Sequence, residues 1–334
     1  MRVLITGAGG QLGQDLVAAF AGRDTTSDGR VGHRASASSA TSESLDERSS
    51  SGMASLSPTA DGIPEGSNDV FAFTHDQLDV VDRDAVHAVI LGVQPDVVVH
   101  AGAWTDVDGC ELDPRRAFAV NSLGTRHVAE ASRRIAAHVC YVSTDYVFDG
   151  RMDRGYTEWD EPNPLSVYGR SKLGGEGELD PEWTIIRTSW VFSHRGRNIL
   201  KTVLSLLDRE GPIRFVNDQR GCPTFTGDLA WGVARLARDR RPGVYHVTNQ
   251  GIATWFEFAR TVVRAAGGDL NRIEPITTDQ LDPPRPAPRP ANSVLDNAAL
   301  ALEGIPLLPH WSRAVEVAIE RLRDDLSARE SRHL

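Results

Sequence analysis

Tyr168 and Lys172 stand four positions apart in SVYGRSKLGGE (166–176), a spacing that lays both on one face of a helix, one turn apart. A phenol with a pKa of about 10 is a poor acid–base catalyst at neutral pH. A nearby ammonium stabilises the phenolate and draws that pKa down, so the pair has a chemical reason for its spacing. Upstream, VSTDYVFDG (142–150) sets Ser143, Thr144 and Asp145 in a row at the end of an apolar run. A hydroxyl there can donate to a substrate carbonyl oxygen and accept from a neighbouring acid. Alone, each segment has an ordinary reading, the first as a surface pair and the second as a turn. Their order behind an N-terminal glycine cluster points instead to proton delivery onto a carbonyl oxygen.

That cluster is Gly7, Gly10 and Gly13 in MRVLITGAGGQLGQDL, directly after an apolar run and at the mouth of a helical pattern. Missing side chains let a pyrophosphate approach backbone N–H groups at the positive end of the helix, so a dinucleotide site is expected. The carboxylate that would close the second strand and bind an adenosine ribose is absent. VFAFTHDQLDV places Thr74 and His75 there, with Asp76 within reach if the register shifts. The choice between NADH and NADPH therefore stays open. Asp79 and Val80 either flank the adenine or, for Asp79, charge a helix start. In HAGAWTDVDGCE (100–111) the small residues Ala101, Gly102 and Ala103 leave room for a flat cofactor, and Trp104 and Thr105 either touch it or pack.

These residues need a frame. Through about residue 150, short apolar runs alternate with helical patterns, the mark of βαβ units around a parallel sheet. VLIT (3–6), VFAF (70–73), DVVVHAGA (96–103), VCYVS (139–143) and TIIRTS (184–189) read as strands. Helical patterns cover 12–21 and 113–137, and another opens near Ser166. Beyond 188, segments 198–207, 254–267 and 311–326 read as amphipathic helices. The proline-punctuated stretch LDPPRPAPRPANS (281–293) must be a loop, because proline fixes φ and lacks an N–H. Carrying Arg285 and Arg289, it is either a ligand-reaching loop or a solvated linker. Twelve serines between Thr25 and Asn68, with almost no aromatic residues, predict a disordered insertion over 25–68. The expected fold is α/β: a doubly wound Rossmann sheet with a smaller C-terminal α/β substrate domain. Residues 1–187 form the first unit, 225–250 return to it, and 188–224 with 251–330 form the second.

A net charge of -10 argues against nucleic acid or an anionic membrane as partner. Cys110, Cys140 and Cys222 lie far apart without metal or disulfide spacing, and are expected as reduced structural thiols. Residues 2–6 are too short for a secretion signal, and no run approaches the roughly 18 apolar residues of a membrane span. A cytoplasmic protein is expected.

The blocks GAGGQLG, AGAWTDVDGCE, VSTDYVFDG, YGRSK, RTSWVF (187–192), NDQRGCPT (217–224), TWFEFA (254–259) and RPANSVLD (289–296) together resemble the dTDP-4-dehydrorhamnose reductase family, within the extended short-chain dehydrogenases/reductases. The resemblance spans nearly the whole chain outside 25–68. It implies reduction of the C4 ketone of dTDP-4-dehydro-6-deoxy-L-mannose to dTDP-L-rhamnose by NADPH or NADH. Tyr168 would donate the proton, Lys172 would lower its pKa and bind nicotinamide ribose, and Thr144 would hold the carbonyl oxygen. Cofactor contacts would come from Gly7, Gly10, Gln11, Leu12, Gly13, Asp79, Val80, Ala103, Trp104, Thr105, Tyr168 and Lys172. The sugar nucleotide would meet Thr144, Asp145, Trp190, Asn198, Arg220 and Arg289. Val142 stands where relatives can carry a tyrosine. No metal site is placed, and a monomer or homodimer acting on a small molecule is implied. Two other readings remain. One is a sugar-nucleotide epimerase or dehydratase, against which Asp145–Tyr146 replaces the Asp–Glu of dehydratases. The other is a non-catalytic subunit resembling the regulatory subunit of methionine adenosyltransferase.

Overall fold

The computed structural model describes residues 1–29 and 68–330. The first part of the chain runs β1 (Arg2–Thr6), α1 (Gln11–Phe20), β2 (Asp69–Phe73), α2 (Arg83–Val93), β3 (Val97–His100), α3 (Val107–Leu112) and α4 (Pro114–Phe118). A π turn (Ala119–Leu123) leads into α5 (Gly124–Arg134), then β4 (His138–Thr144), a 3-10 turn (Asp145–Val147), α6 (Val167–Glu176) and β5 (Thr184–Thr188). The second part carries β6 (Val191–Phe192), α7 (Ile199–Leu207), β7 (Ile213–Val216), β8 (Arg220–Gly221), β9 (Thr224–Phe225), α8 (Thr226–Arg238) and β10 (Gly243–His246). It ends with β11 (Ala253–Thr254), α9 (Trp255–Ala266), β12 (Ile273–Ile276), α10 (Ala298–Leu302) and α11 (Trp311–Glu330).

Six strands form one sheet in the order β10-β5-β4-β3-β1-β2, every pairing parallel. Burial on both faces explains the unbroken valine run of β3. Val97 and Val99 join α1 and α8 in one core, and Val98 joins α2 and α5 in the other. The order reverses between β1 and β3, and the crevice at such a reversal is where open α/β sheets bind ligands. A separate core, built on Phe192, Phe225, Phe258, Val262 and Trp311, unites α7, α9 and α11. Helix α9 is set by local signals: a Thr254/Glu257 capping box opens it and left-handed Gly267 closes it.

Two sequence expectations change. The helical pattern over 113–137 is two helices joined by the π turn, which a 3.6-residue period cannot reveal. The serine-rich segment expected from Thr25 begins with packed residues. Thr25, Thr26 and Ser27 are buried; the Ser27 N–H and hydroxyl donate to Asp228 at 2.7 and 2.8 Å, and Arg321 donates to the carbonyls of Thr25 and Thr26. The remainder expected as disordered, 30–67, lies outside the described residues. Among the described residues no helix is long and apolar enough to cross a membrane.

Candidate active site

The glycine turn after β1 is shaped for close approach. Gly7 adopts φ +71°, and a Cβ there would lie 2.8 Å from Gly102 backbone at the end of β3. A Cβ on Gly13 would lie 2.2 Å from the Gly7 carbonyl oxygen. Gly10 caps α1, Leu12 is buried beneath the turn, and the buried Gln11 Oε1 has no hydrogen-bond partner. A bare backbone cradle at a helix N-terminus with an unpaired amide oxygen beside it fits a dinucleotide pyrophosphate. Gly13→Ala forces a backbone collision, and overpacking of this kind costs about 1–3 kcal/mol. We expect its dissociation constant for NADPH, measured by fluorescence titration, to rise at least about tenfold; unchanged affinity would exclude this turn as the cofactor cradle.

At the β2 end, Thr74 binds Gln77 through its own N–H and hydroxyl, and Asp76 lies in the exposed turn beyond. Asp79 is exposed and its carboxylate accepts from the Val81 N–H, whereas Asp82 is the residue that caps α2. The helix-start charge considered for Asp79 thus belongs to Asp82. Val80 is buried, with its carbonyl 3.0 Å from His127 Nδ1. After β3, Ala103 is half-buried and Thr105 exposed. Trp104 is pinned by Asn121: its N–H donates to the Asn121 carboxamide oxygen at 2.8 Å, and its carbonyl accepts the amide hydrogen at 3.1 Å. The same amide donates to Ser171 on α6. Asn121 sits in the π turn and carried no signal in the sequence.

Ser166 caps α6 by accepting from the Gly169 N–H, and the helix presents Tyr168 and Lys172 on its buried face. The Thr144 hydroxyl, at the end of β4, donates to Asp145 Oδ1 at 3.0 Å. Lys172 Nζ donates to the Val142 carbonyl at 2.7 Å and lies 4.0 Å from the centre of the Tyr141 ring. Burial drives the Tyr168 pKa well above that of a free phenol, and its largest relief comes from Thr144. Burial pushes Lys172 down to about 7, against a partial lift from Glu176. Without cofactor, the Lys172 amine is thus engaged by a backbone carbonyl of β4. Asp145 is raised by burial to about 7, with the Ser293 and Thr144 hydroxyls opposing.

Beneath this group lies an ion pair that sequence reasoning missed. Glu176, two turns along α6 from Tyr168, accepts from Arg187 Nε at 3.0 Å and from a second guanidinium nitrogen at 2.7 Å, with both side chains buried. Its Oε1 also accepts from Ser143, the residue before Thr144. The i+4 and i+8 positions beyond Tyr168 were the available signal for Glu176; Arg187 had none.

The other expected residues spread along the adjoining loops. Trp190, at φ +47°, stacks on Trp255 with ring centres 3.6 Å apart and planes 2° from parallel. Arg289 forms a two-pronged pair with Asp108, and Tyr146 meets Tyr168 edge-on at 5.6 Å. The proline-punctuated stretch is therefore docked on α3 beside the tyrosines, which decides against a solvated linker. Arg220 is exposed on β8. The Asn198 carboxamide caps α7 and donates to the carbonyls of Ser193 and Arg195. The three cysteines are buried and unpaired with one another.

A buried phenol on α6, an amine one helical turn away, a hydroxyl at a strand end and a bare glycine cradle at the sheet reversal can reduce a carbonyl when a nicotinamide is bound. Comparison with known proteins carries this further. The family described as "RmlD substrate binding domain" matches residues 61–324. The dTDP-4-dehydrorhamnose reductase of Mycobacterium tuberculosis H37Rv is 38% identical over 327 residues, covering 95% of this chain and 92% of that protein. A dTDP-4-dehydrorhamnose reductase from Clostridium acetobutylicum superposes with a TM-score of 0.79 at 31% identity, covering 97% of this chain and all of the other. The Bacillus anthracis dTDP-4-dehydrorhamnose reductase, solved in complex with NADP, gives 0.77 at 30% identity, with 96% and 99% covered. Likeness of this extent, in sequence and in fold, places the chain in the dTDP-4-dehydrorhamnose reductase family.

Proposed function

We propose that this protein reduces the C4 ketone of dTDP-4-dehydro-6-deoxy-L-mannose to dTDP-L-rhamnose, the last step in making that sugar donor, with NADPH or NADH. The observation that carries the reading is the burial of Tyr168 and Lys172, one turn apart on α6, together with Thr144 at the end of β4. Bound nicotinamide supplies the hydride. Gly7, Gly10, Gln11, Leu12 and Gly13 hold its pyrophosphate side, Asp79 and Val80 its adenosine side, and Ala103, Trp104, Thr105 and Lys172 the rest. Thr144 donates to the ketone oxygen, and Tyr168 gives that oxygen its proton as charge develops. Hydrogen bonds to a developing charge are stronger where water is excluded, and Thr144, Asp145 and Tyr168 are all buried.

Residues 1–187 with 225–250 serve the cofactor in this reading, and 188–224 with 251–330 serve the sugar nucleotide. Trp190 borders the sugar, and Arg289 and Arg220 face the diphosphate. Tyr146 stands where a dehydratase would carry its second carboxylate, which favours simple reduction. The protein works in the cytoplasm as a monomer or homodimer. Purified protein, mixed with dTDP-4-dehydrorhamnose generated in situ and either reduced cofactor, is expected to consume the nicotinamide absorbance and yield dTDP-L-rhamnose by chromatography. No oxidation with either cofactor would sink the proposal.

A further inference from the structure

Thr6, His100 and Tyr141 stand in one row across β1, β3 and β4, each the register partner of the next. The period of two along a strand puts all three on the sheet face that Leu4, Val98 and Val139 turn toward α2 and α5. The row starts beside Gly7, in the glycine turn, and ends under α6. There the centre of the Tyr141 ring lies 4.0 Å from Lys172 Nζ. Gly175 of α6 leaves room for the Tyr141 hydroxyl, since a Cβ on it would lie 2.4 Å from that oxygen.

His100, at the centre of the row, is fully buried, and no step of the reduction uses it. Its tautomer follows from its partners. The Thr125 hydroxyl donates its one proton to the Asn121 carbonyl at 2.8 Å, so it can only accept from His100 Nε2, 3.2 Å away. Nε2 therefore carries a hydrogen. The ring is neutral, because burial and the Lys172 charge both disfavour a second cation and hold its pKa to about 3. Nδ1 is then a bare acceptor, and the Thr6 hydroxyl donates to it at 2.7 Å. Thr6 Oγ1 in turn accepts the Gly102 N–H at 3.3 Å, and Gly102 is the residue whose backbone lies too near Gly7 for a side chain. The result is a hydrogen-bond chain of one direction. It runs from Gly102 through Thr6, His100 and Thr125 to the carbonyl of Asn121, whose amide is tied to Ser171 on α6.

We propose that His100 is a positioning residue for the cofactor: as its Nε2–H tautomer it fixes the separation between the glycine turn and the buried face of α6. The inference rests on the reductase reading, in which the glycine turn receives the pyrophosphate and Lys172 the nicotinamide ribose. A ligand gripped at two points binds tightly only when the grips stand at the right separation, whereas a fragment that reaches one grip does not sense it. The imidazole offers one acceptor and one donor on a rigid ring, and so sets that separation as a spacer. An apolar ring in its place would leave the Thr6 hydroxyl without its acceptor and Thr125 Oγ1 without its donor, in the interior where unpaired groups are costly.

The test uses the full-length protein and its Thr6→Val, Thr6→Ser and His100→Phe variants. Calorimetric titration compares NADPH with 2′-phospho-ADP, and NADH with ADP; each fragment ends at the pyrophosphate. Thr6→Val and His100→Phe should each weaken the intact cofactor at least about tenfold while moving its fragment by no more than about threefold. Thr6→Ser keeps the hydroxyl and should stay within about threefold of wild type for both ligands. Nitrogen-15 spectra of histidine-labelled protein should show one imidazole whose bare Nδ1 signal shifts in Thr6→Val while its Nε2 keeps the hydrogen. Thr6→Val, which removes one hydroxyl and keeps the side-chain shape, carries the test if His100→Phe does not fold. Cofactor and fragment weakened alike would make the row ordinary core and overturn the proposal, as would unchanged cofactor affinity in Thr6→Val or a ring protonated on Nδ1. The expected split in a protein that reduces no dTDP-4-dehydrorhamnose would overturn the substrate assignment and leave the spacer standing.

Discussion

Tyr168→Phe should lower kcat by about 10²- to 10⁴-fold, the range for removing a positioned proton donor. The phenol is nearly buried, so solvent has little room to substitute for it. Deleting one oxygen leaves the ring edge-on to Tyr146 and the α6 backbone unchanged, so NADPH affinity should move by no more than about threefold. That split between turnover and binding is the signature sought. Stopped-flow absorbance at the nicotinamide band measures the first quantity and fluorescence titration the second. A phenylalanine variant within about threefold of wild-type kcat would remove Tyr168 from the mechanism.

The second large effect concerns stability. Arg187→Met should destabilise the protein by about 3–5 kcal/mol, because it strands the Glu176 carboxylate in the interior without its cation. Replacing both partners, Arg187→Met with Glu176→Gln, should recover much of that loss, since the cost lies in the unpaired charge more than in the missing bond. Urea unfolding of the single and double variants measures the difference; a double variant no more stable than Arg187→Met would refute the account. Activity should fall further than stability alone requires. Glu176 lies one turn beyond Lys172 and holds Ser143 beside Thr144, so its release loosens the registry of α6 against the β4 end.

The parts of the site that were legible in the sequence are those whose signals are local. The glycine turn, the valine run of β3, the Ser166 and Thr254 caps and the four-residue spacing of Tyr168 and Lys172 each declare themselves within a dozen residues. What stayed hidden depends on pairing at a distance. Arg289 meets Asp108 across 181 positions, and Ser27 meets Asp228 across 201. Composition alone therefore made Thr25–Ser27 look unable to fold, because polar residues enter a core only when partners from elsewhere satisfy them. The partner of Lys172 stayed hidden for a related reason. Spacing along a helix shows that an ammonium is near, but not that a carbonyl from β4 has engaged it.

The π turn of Ala119–Leu123 has a consequence for how the gene can change. Such a turn is an α-helix carrying one residue too many, and removing one would let α4 and α5 run together as an unbroken helix. Local hydrogen bonding would survive the deletion, yet everything downstream would swing by about 100° around the axis. Asn121 would leave Trp104, and the face bearing Val128, Ala129 and Ala131 would turn away from the sheet. This single turn, with no reacting group in it, keeps count of residues for the whole active site.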